Sequence, residues 1–127
     1  MDIAVDTNRY VDFMRGDPEV ARHIRAADAV ALPFVVLGEL RAGFACGSKS
    51  RANERTLVRF LGQERVRVLW ADEATTHFYG RVFAQLRAAG TPIPTSDLWI
   101  AALAIQHDLP LYTRDAHFAS VAGLATL

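Results

Sequence analysis

The chain has 127 residues, 51% of them hydrophobic, with 14 basic residues balanced by 14 acidic ones, which suits one domain around one core. No apolar run approaches the ~18 residues of a membrane span, Met1-Asp2 opens straight into a strand-like run with no charged leader, and Cys46 stands alone, with no partner for a disulfide or a zinc cluster. A cytosolic protein is expected, and a sequence pI near 6.9 argues against a globally basic nucleic-acid binder.

Residues 2–6 read as a short first strand, followed by a helix from Asn8 to Met14 and a break at Gly16. Asp17-Pro18 has the cap-then-proline form of a helix start, with the helix running to Ala27. Ala29 to Leu32 suits a second strand. Pro33 then admits a helix from Phe34 to Ala45, ended by Gly47-Ser48, and a further helix from Lys49 to Leu61 completes a helical hairpin. Val66 to Trp70 is the third strand, and Asp72 caps a long helix ending before Gly90. Residues 91–96 hold two prolines and are expected to be extended. Helix Leu98 to His107 is apolar on nearly every side, the mark of a buried crossover helix. Leu111 to Thr113 makes a fourth strand, and Ala125 to Leu127 a short fifth. This alternation predicts an α/β fold, a short, mostly parallel central sheet with helices on both faces, as a single domain over residues 1–127.

Four acids stand out against that frame. Asp6, Asp97 and Asp115 each follow an apolar or small-polar run and precede a helical pattern, which puts them at the carboxyl edge of a parallel sheet or in the first helical turn, where ligands of such folds gather. Glu39 lies within an apolar helical segment, where an unpaired carboxylate is costly to bury. Taken singly, Asp6 and Asp115 also suit helix caps, Asp97 suits a dipole-stabilised first turn, and Glu39 suits a solvated position or a pair with Arg41. Taken together, converging carboxylates repel one another, and a hard divalent ion, Mg2+ or Mn2+, is their simplest counter-charge.

Thr7, Asn8, Ser96 and Thr113 flank these acids, placed either to orient the carboxylates or to act as ordinary caps. His23, His77, His107 and His117 share no metal-ligand spacing; His117 lies nearest the acids. Setting the four acids aside leaves 14 basic against 10 acidic residues, a basic rim around an acidic centre. Arg51, Arg55 and Arg59 recur every four residues and share one helix face. With Arg41 they form the candidate surface for phosphate or for an acidic protein segment, unless the face is simply solvated.

These motifs, in this order, are a strand into Asp6-Thr7-Asn8, Gly38-Glu39-Leu40, Ser96-Asp97 before Ile100-Ala101-Ala102, and Thr113-Arg114-Asp115 with His117-Phe118. Across essentially the whole chain they resemble the PIN domain and, within that superfamily, the VapC toxins of toxin–antitoxin pairs. The position before the third acid, often asparagine in that family, is Ser96 here and can still cap the following helix. The resemblance implies a PIN-like three-layer fold. It also implies an endoribonuclease in which Asp6, Glu39, Asp97 and Asp115 hold Mg2+ or Mn2+ and an activated water attacks the RNA phosphodiester. Asp6 and Asp97 are expected to take the leading part. It implies a cognate VapB-like antitoxin and a homodimer as well. Two other classes remain open: a PIN-type module that binds RNA or protein without cutting, and a phosphoryl-transfer domain. The latter would want an acid where Asn8 stands, and a well-placed lysine where Lys49 is the only one.

Overall fold

The computed structural model describes residues 1–127 as four strands and six α-helices in strict alternation of strands with helix pairs. The strands are β1 Asp2–Val5, β2 Ala29–Pro33, β3 Val66–Leu69 and β4 Leu111–Tyr112. The helices are α1 Thr7–Met14, α2 Pro18–Ala26, α3 Phe34–Cys46, α4 Ser50–Leu61, α5 Glu73–Ala89 and α6 Thr95–Gln106. A 3-10 turn spans Ala116–Ser120. All three strand pairings are parallel, in the order β3-β2-β1-β4, so the PIN-like α/β expectation holds.

Each helix pair carries the chain from one parallel strand to the next, and the starts of those helices have identifiable causes. Asp17 accepts from the Glu19 and Val20 amides at 3.0 and 3.2 Å, with Pro18 in the first turn of α2. Asp72 and Thr75 form a reciprocal capping box on α5. Gly90 ends α5 at φ 71°, a left-handed position open to glycine at little steric cost.

Two expectations are corrected at the edges. The segment before Asp97 stays extended only to Pro94, because Pro94 takes the cap position and Thr95 and Ser96 already belong to the first turn of α6; Ser96 therefore caps nothing. The fifth strand shrinks to one parallel bridge between Leu111 and Thr126, flanked by bonds from the Leu111 amide to Ala125 and from the Leu127 amide to Leu111.

The core fills both faces of the sheet, with Ile3, Val5, Val30, Leu32, Leu103 and Leu111 all buried. Helix α6 is buried at seven of its twelve positions, Leu98 and Ile100 to Ala104 among them, which explains its near-continuous apolar sequence. No helix is long and apolar enough to cross a membrane.

Phe118, 0% exposed, anchors the 3-10 turn into this core. Phe118→Ala is expected to destabilise the fold by about 3–5 kcal/mol through transfer and cavity terms together. Urea unfolding monitored by circular dichroism checks this, and a loss below about 1 kcal/mol would mean that the turn is not held by its aromatic anchor.

Candidate metal centre

The sheet order creates a switch point between β1 and β4: from β1 the chain moves to β2 on one side, and β4 later returns to the other side. Crevices of this kind, outside the carboxyl ends of the strands, are where parallel sheets take ligands. Asp6 immediately follows β1 and Thr113 immediately follows β4, and the two meet there through a buried hydrogen bond of 2.7 Å from the Thr113 hydroxyl to Asp6 Oδ2.

Asp6 is buried and thoroughly held. Its Oδ1 accepts from the Thr7 amide at 2.8 Å, and its Oδ2 also accepts from the Asn8 side-chain amide at 3.1 Å. The Thr7 hydroxyl turns instead to Glu39 Oε1 at 2.9 Å, tying the first acid's helix to the second acid. Asn8 reaches in the other direction as well, its Oδ1 accepting from the Arg114 amide at 3.3 Å. Thr113 accepts from the Asp115 amide at 3.0 Å. Thr7, Asn8 and Thr113 thus bind Asp6, Glu39 and the backbone at Arg114 and Asp115 into one network, while Asp97 is reached only through His117; Ser96 makes no hydrogen bond to any of the acids.

Asp97 sits in the first turn of α6 and is buried, while Asp115 is half-buried and caps the 3-10 turn through the His117 amide at 2.9 Å. Sequence spacing gave the ring of His117 no partner. In the structure its Nδ1 lies 3.1 Å from Asp97 Oδ2 and 3.2 Å from Asp115 Oδ1. Donor atoms of Asp97, Asp115 and His117 fall within 4.8 Å of one another, the tightest grouping in the crevice. Asp6 and Glu39 lie outside that grouping but within reach of its charge, since Asp115 acts on both and Asp97 on Glu39.

Burial is the main cause that pushes Asp6 upward, opposed by its hydrogen bonds from Thr113 and Thr7 and reinforced by the charge of Asp115. Asp97 is raised by burial, opposed by His117 and reinforced by Asp115 and Asp6. Glu39 is exposed by area, yet lost hydration around its carboxylate raises it first, with Asp6, Asp97 and Asp115 adding to the effect against the Thr7 bond. An all-oxygen set of crowded carboxylates fits a hard divalent cation, which would relieve both the repulsion and the desolvation.

The basic residues divide. Arg41 is taken by Glu54 at 2.8 Å, across the α3–α4 hairpin, and Arg65 donates to the carbonyls of Ile24 and Ala27 at 2.8 and 3.0 Å. Arg51, Arg55 and Arg59 are exposed on α4 and make no ion pair. Arg114, beside the site, is held by Asp12 at 3.0 and 3.4 Å, a two-pronged contact joining α1 to the loop after β4.

Comparison with known proteins gives a consistent picture. The PIN domain family matches residues 3–124. Ribonuclease VapC4 of Mycobacterium tuberculosis is 36% identical over 87 residues, covering 68% of this chain and 67% of that protein. Ribonuclease VapC1 of Haemophilus influenzae is 30% identical over 115 residues, covering 87% and 84%. Among solved structures, VapBC-1 from nontypeable Haemophilus influenzae matches with a TM-score of 0.87 at 26% identity, over 100% of this chain and 97% of that one. VapBC-5 from Mycobacterium tuberculosis, a member of the VapBC family of toxin-antitoxin systems, matches with a TM-score of 0.74 at 28% identity, over 98% and 93%.

The direction of the pKa shifts fixes how stability should vary with pH. Asp6, Glu39 and Asp97 hold protons more tightly folded than unfolded, so their stabilising contribution is full below the ordinary values of 3.8 for Asp and 4.5 for Glu and is lost as pH rises through the raised ones. Asp12 and Asp72 are lowered, the first by Arg114 and the second by Gln106, so they act in the opposite sense at pH values below 3.8. In chelator, stability from urea unfolding is expected to decline from about pH 4 upward, and Asp97→Asn to flatten that decline. An identical pH profile in wild type and variant would refute it.

Proposed function

Because this chain belongs to the PIN-domain family, within its VapC branch, we propose that it is a metal-dependent endoribonuclease, the toxin of a toxin–antitoxin pair. The observation that carries the reading is the convergence of four carboxylates at the β1/β4 switch point, around the tight group of Asp97, Asp115 and His117. The relatives' names as ribonucleases support RNA as the substrate, and hydrolysis of its phosphodiester bond is the reaction.

Asp97 and Asp115 would hold Mg2+ or Mn2+, with Asp6 and Glu39 adding charge directly or through water. When bound, such an ion offsets the charge of the phosphate and lowers the pKa of a water molecule. The chain's own groups do the positioning. Thr113, Asn8 and the Thr7 amide fix the carboxylate of Asp6 against rotation, and the Thr7 hydroxyl sets Glu39 facing the same crevice. Direct attack by a water requires no covalent nucleophile from the chain.

The fold suits RNA whose backbone can bend into a crevice, a single strand or loop rather than a paired stem. Arg51, Arg55 and Arg59 are the free phosphate-binding or antitoxin-binding cations; Arg41 contributes through them only after leaving Glu54. A cleft of about 590 Å³ between α1, α3 and α4, lined by Tyr10, Val11, Met14, Leu40 and Phe44 with Arg15 and Lys49 at its rim, suits an amphipathic antitoxin segment. The solved VapBC relatives, complexes of a toxin–antitoxin family, support such a partner. Trp70, 66% exposed, and Phe83 offer apolar surface for a homodimer. We assign the activity to the cytoplasm and to the 127 residues as one domain.

Purified protein freed of any partner is expected to cleave labelled RNA in Mg2+ or Mn2+ and not in EDTA, with Asp97→Asn slowing cleavage by about 100-fold or more. RNA binding that survives with no cleavage in the wild type would make the chain a silent binding module. A second expectation concerns the rim. Replacing Arg51, Arg55 and Arg59 together by alanine should lower the slope of log affinity against log salt by about 2, at ~0.7 per phosphate contact on a single strand; an unchanged slope would free α4 of any role in RNA binding.

A further inference from the structure

The proposed centre draws its oxygen donors from Asp97 and Asp115, with Asp6 and Glu39 beside them, and gives the ring of His117 no ligand role. It leaves the 3-10 turn two residues after Asp115, and its own amide donates to Asp115 Oδ1 at 2.9 Å, so ring and carboxylate are set by one short piece of backbone. Behind them the fully buried Phe118 holds the turn in place. The other histidines are engaged elsewhere or stand apart; His23, for example, packs on the Tyr112 ring with centroids 5.2 Å apart.

The distances around His117 are those of hydrogen bonds from a protonated Nδ1 to two carboxylates, and equally those of neighbouring donors on one ion once that proton is displaced. An octahedral ion with bonds of about 2.1 Å sets adjacent donors about 3.0 Å apart. Nδ1 lies 3.1 Å from Asp97 Oδ2 and 3.2 Å from Asp115 Oδ1, so two edges of such a polyhedron are already formed by these side chains. The side chain is 52% exposed, and with the ring proton on Nε2 the Nδ1 atom offers its lone pair to an ion.

We propose that His117 is a nitrogen ligand of the ion held by Asp97 and Asp115, and that it biases the centre toward first-row transition ions over magnesium. The inference rests on the metal-dependent reading above. Magnesium prefers oxygen donors and retains its waters, so carboxylates alone separate it poorly from manganese. Imidazole binds first-row transition ions more readily, and one nitrogen among oxygens is enough to tilt the choice.

Electron spin-echo spectroscopy of Mn2+ added to the metal-free protein tests ligation directly. Wild type is expected to show modulation from a bound 14N that changes to the 15N pattern when only histidine is 15N-labelled, and His117→Ala is expected to lose it. In calorimetric titrations, His117→Ala should weaken Mn2+ by about 10-fold while changing Mg2+ by less than about 3-fold. Mn2+ that binds through Asp97, as judged by its loss in Asp97→Asn, yet shows no histidine nitrogen overturns the role of His117 and leaves the metal-dependent nuclease standing. Failure of Mn2+ to bind wild type at all overturns both. The labelled wild-type spectrum decides the question even if His117→Ala does not fold.

Discussion

The pairing of β1 with β4 is the constraint on which the site depends. It joins segments more than a hundred residues apart, through the register Ala4 with Leu111 and Val5 with Tyr112, and so brings the residue after each strand into contact. Asp6 and Thr113 meet only because those two short strands lie side by side and run the same way. A chain that put β4 at the other edge of the sheet would contain every residue of the cluster and no crevice to hold them.

The same pairing concentrates unfavourable electrostatics in one place. Three of the four carboxylates have their charged forms disfavoured by burial and by one another, a local conflict that the remainder of the molecule must outweigh. It does so with an apolar core on both sheet faces and with hydrogen-bonded supports that hold the acids apart from direct contact. Departure from local ideality at one spot, with consistency everywhere else, is what functional sites in otherwise well-specified folds look like. The Arg114–Asp12 contact belongs to this support: it ties the loop after β4 to α1, the two segments that follow the paired strands.

Much of this was legible in the chain because the relevant signals are local. Apolar runs ending on an acid gave the strand ends, and Asp17-Pro18 and Asp72 gave helix starts that the structure repeats. Other features depend on geometry that no short window carries. Whether His117 points at Asp97 is decided by the path of a five-residue 3-10 turn and by Phe118 beneath it. Arg41 and Arg51 looked equivalent as rim cations, but the crossing of α3 and α4 brings Glu54 under one of them alone. Ser96 reads as a cap beside an aspartate, and it lost that role because Pro94, two residues earlier, has the fixed φ that begins the helix.

The distribution of the acids along the chain also bears on biosynthesis. Asp6 and Glu39 belong to the first third of the sequence, Asp97 and Asp115 to the last quarter, and the strand that unites them is the last to be made. Any translation product interrupted before β4 lacks the edge that closes the crevice, together with Thr113, Asp115 and His117. Assembly of the crevice therefore waits on synthesis of β4 and the turn after it, and a nascent chain that stops short of them carries the first acids without the edge that gathers them.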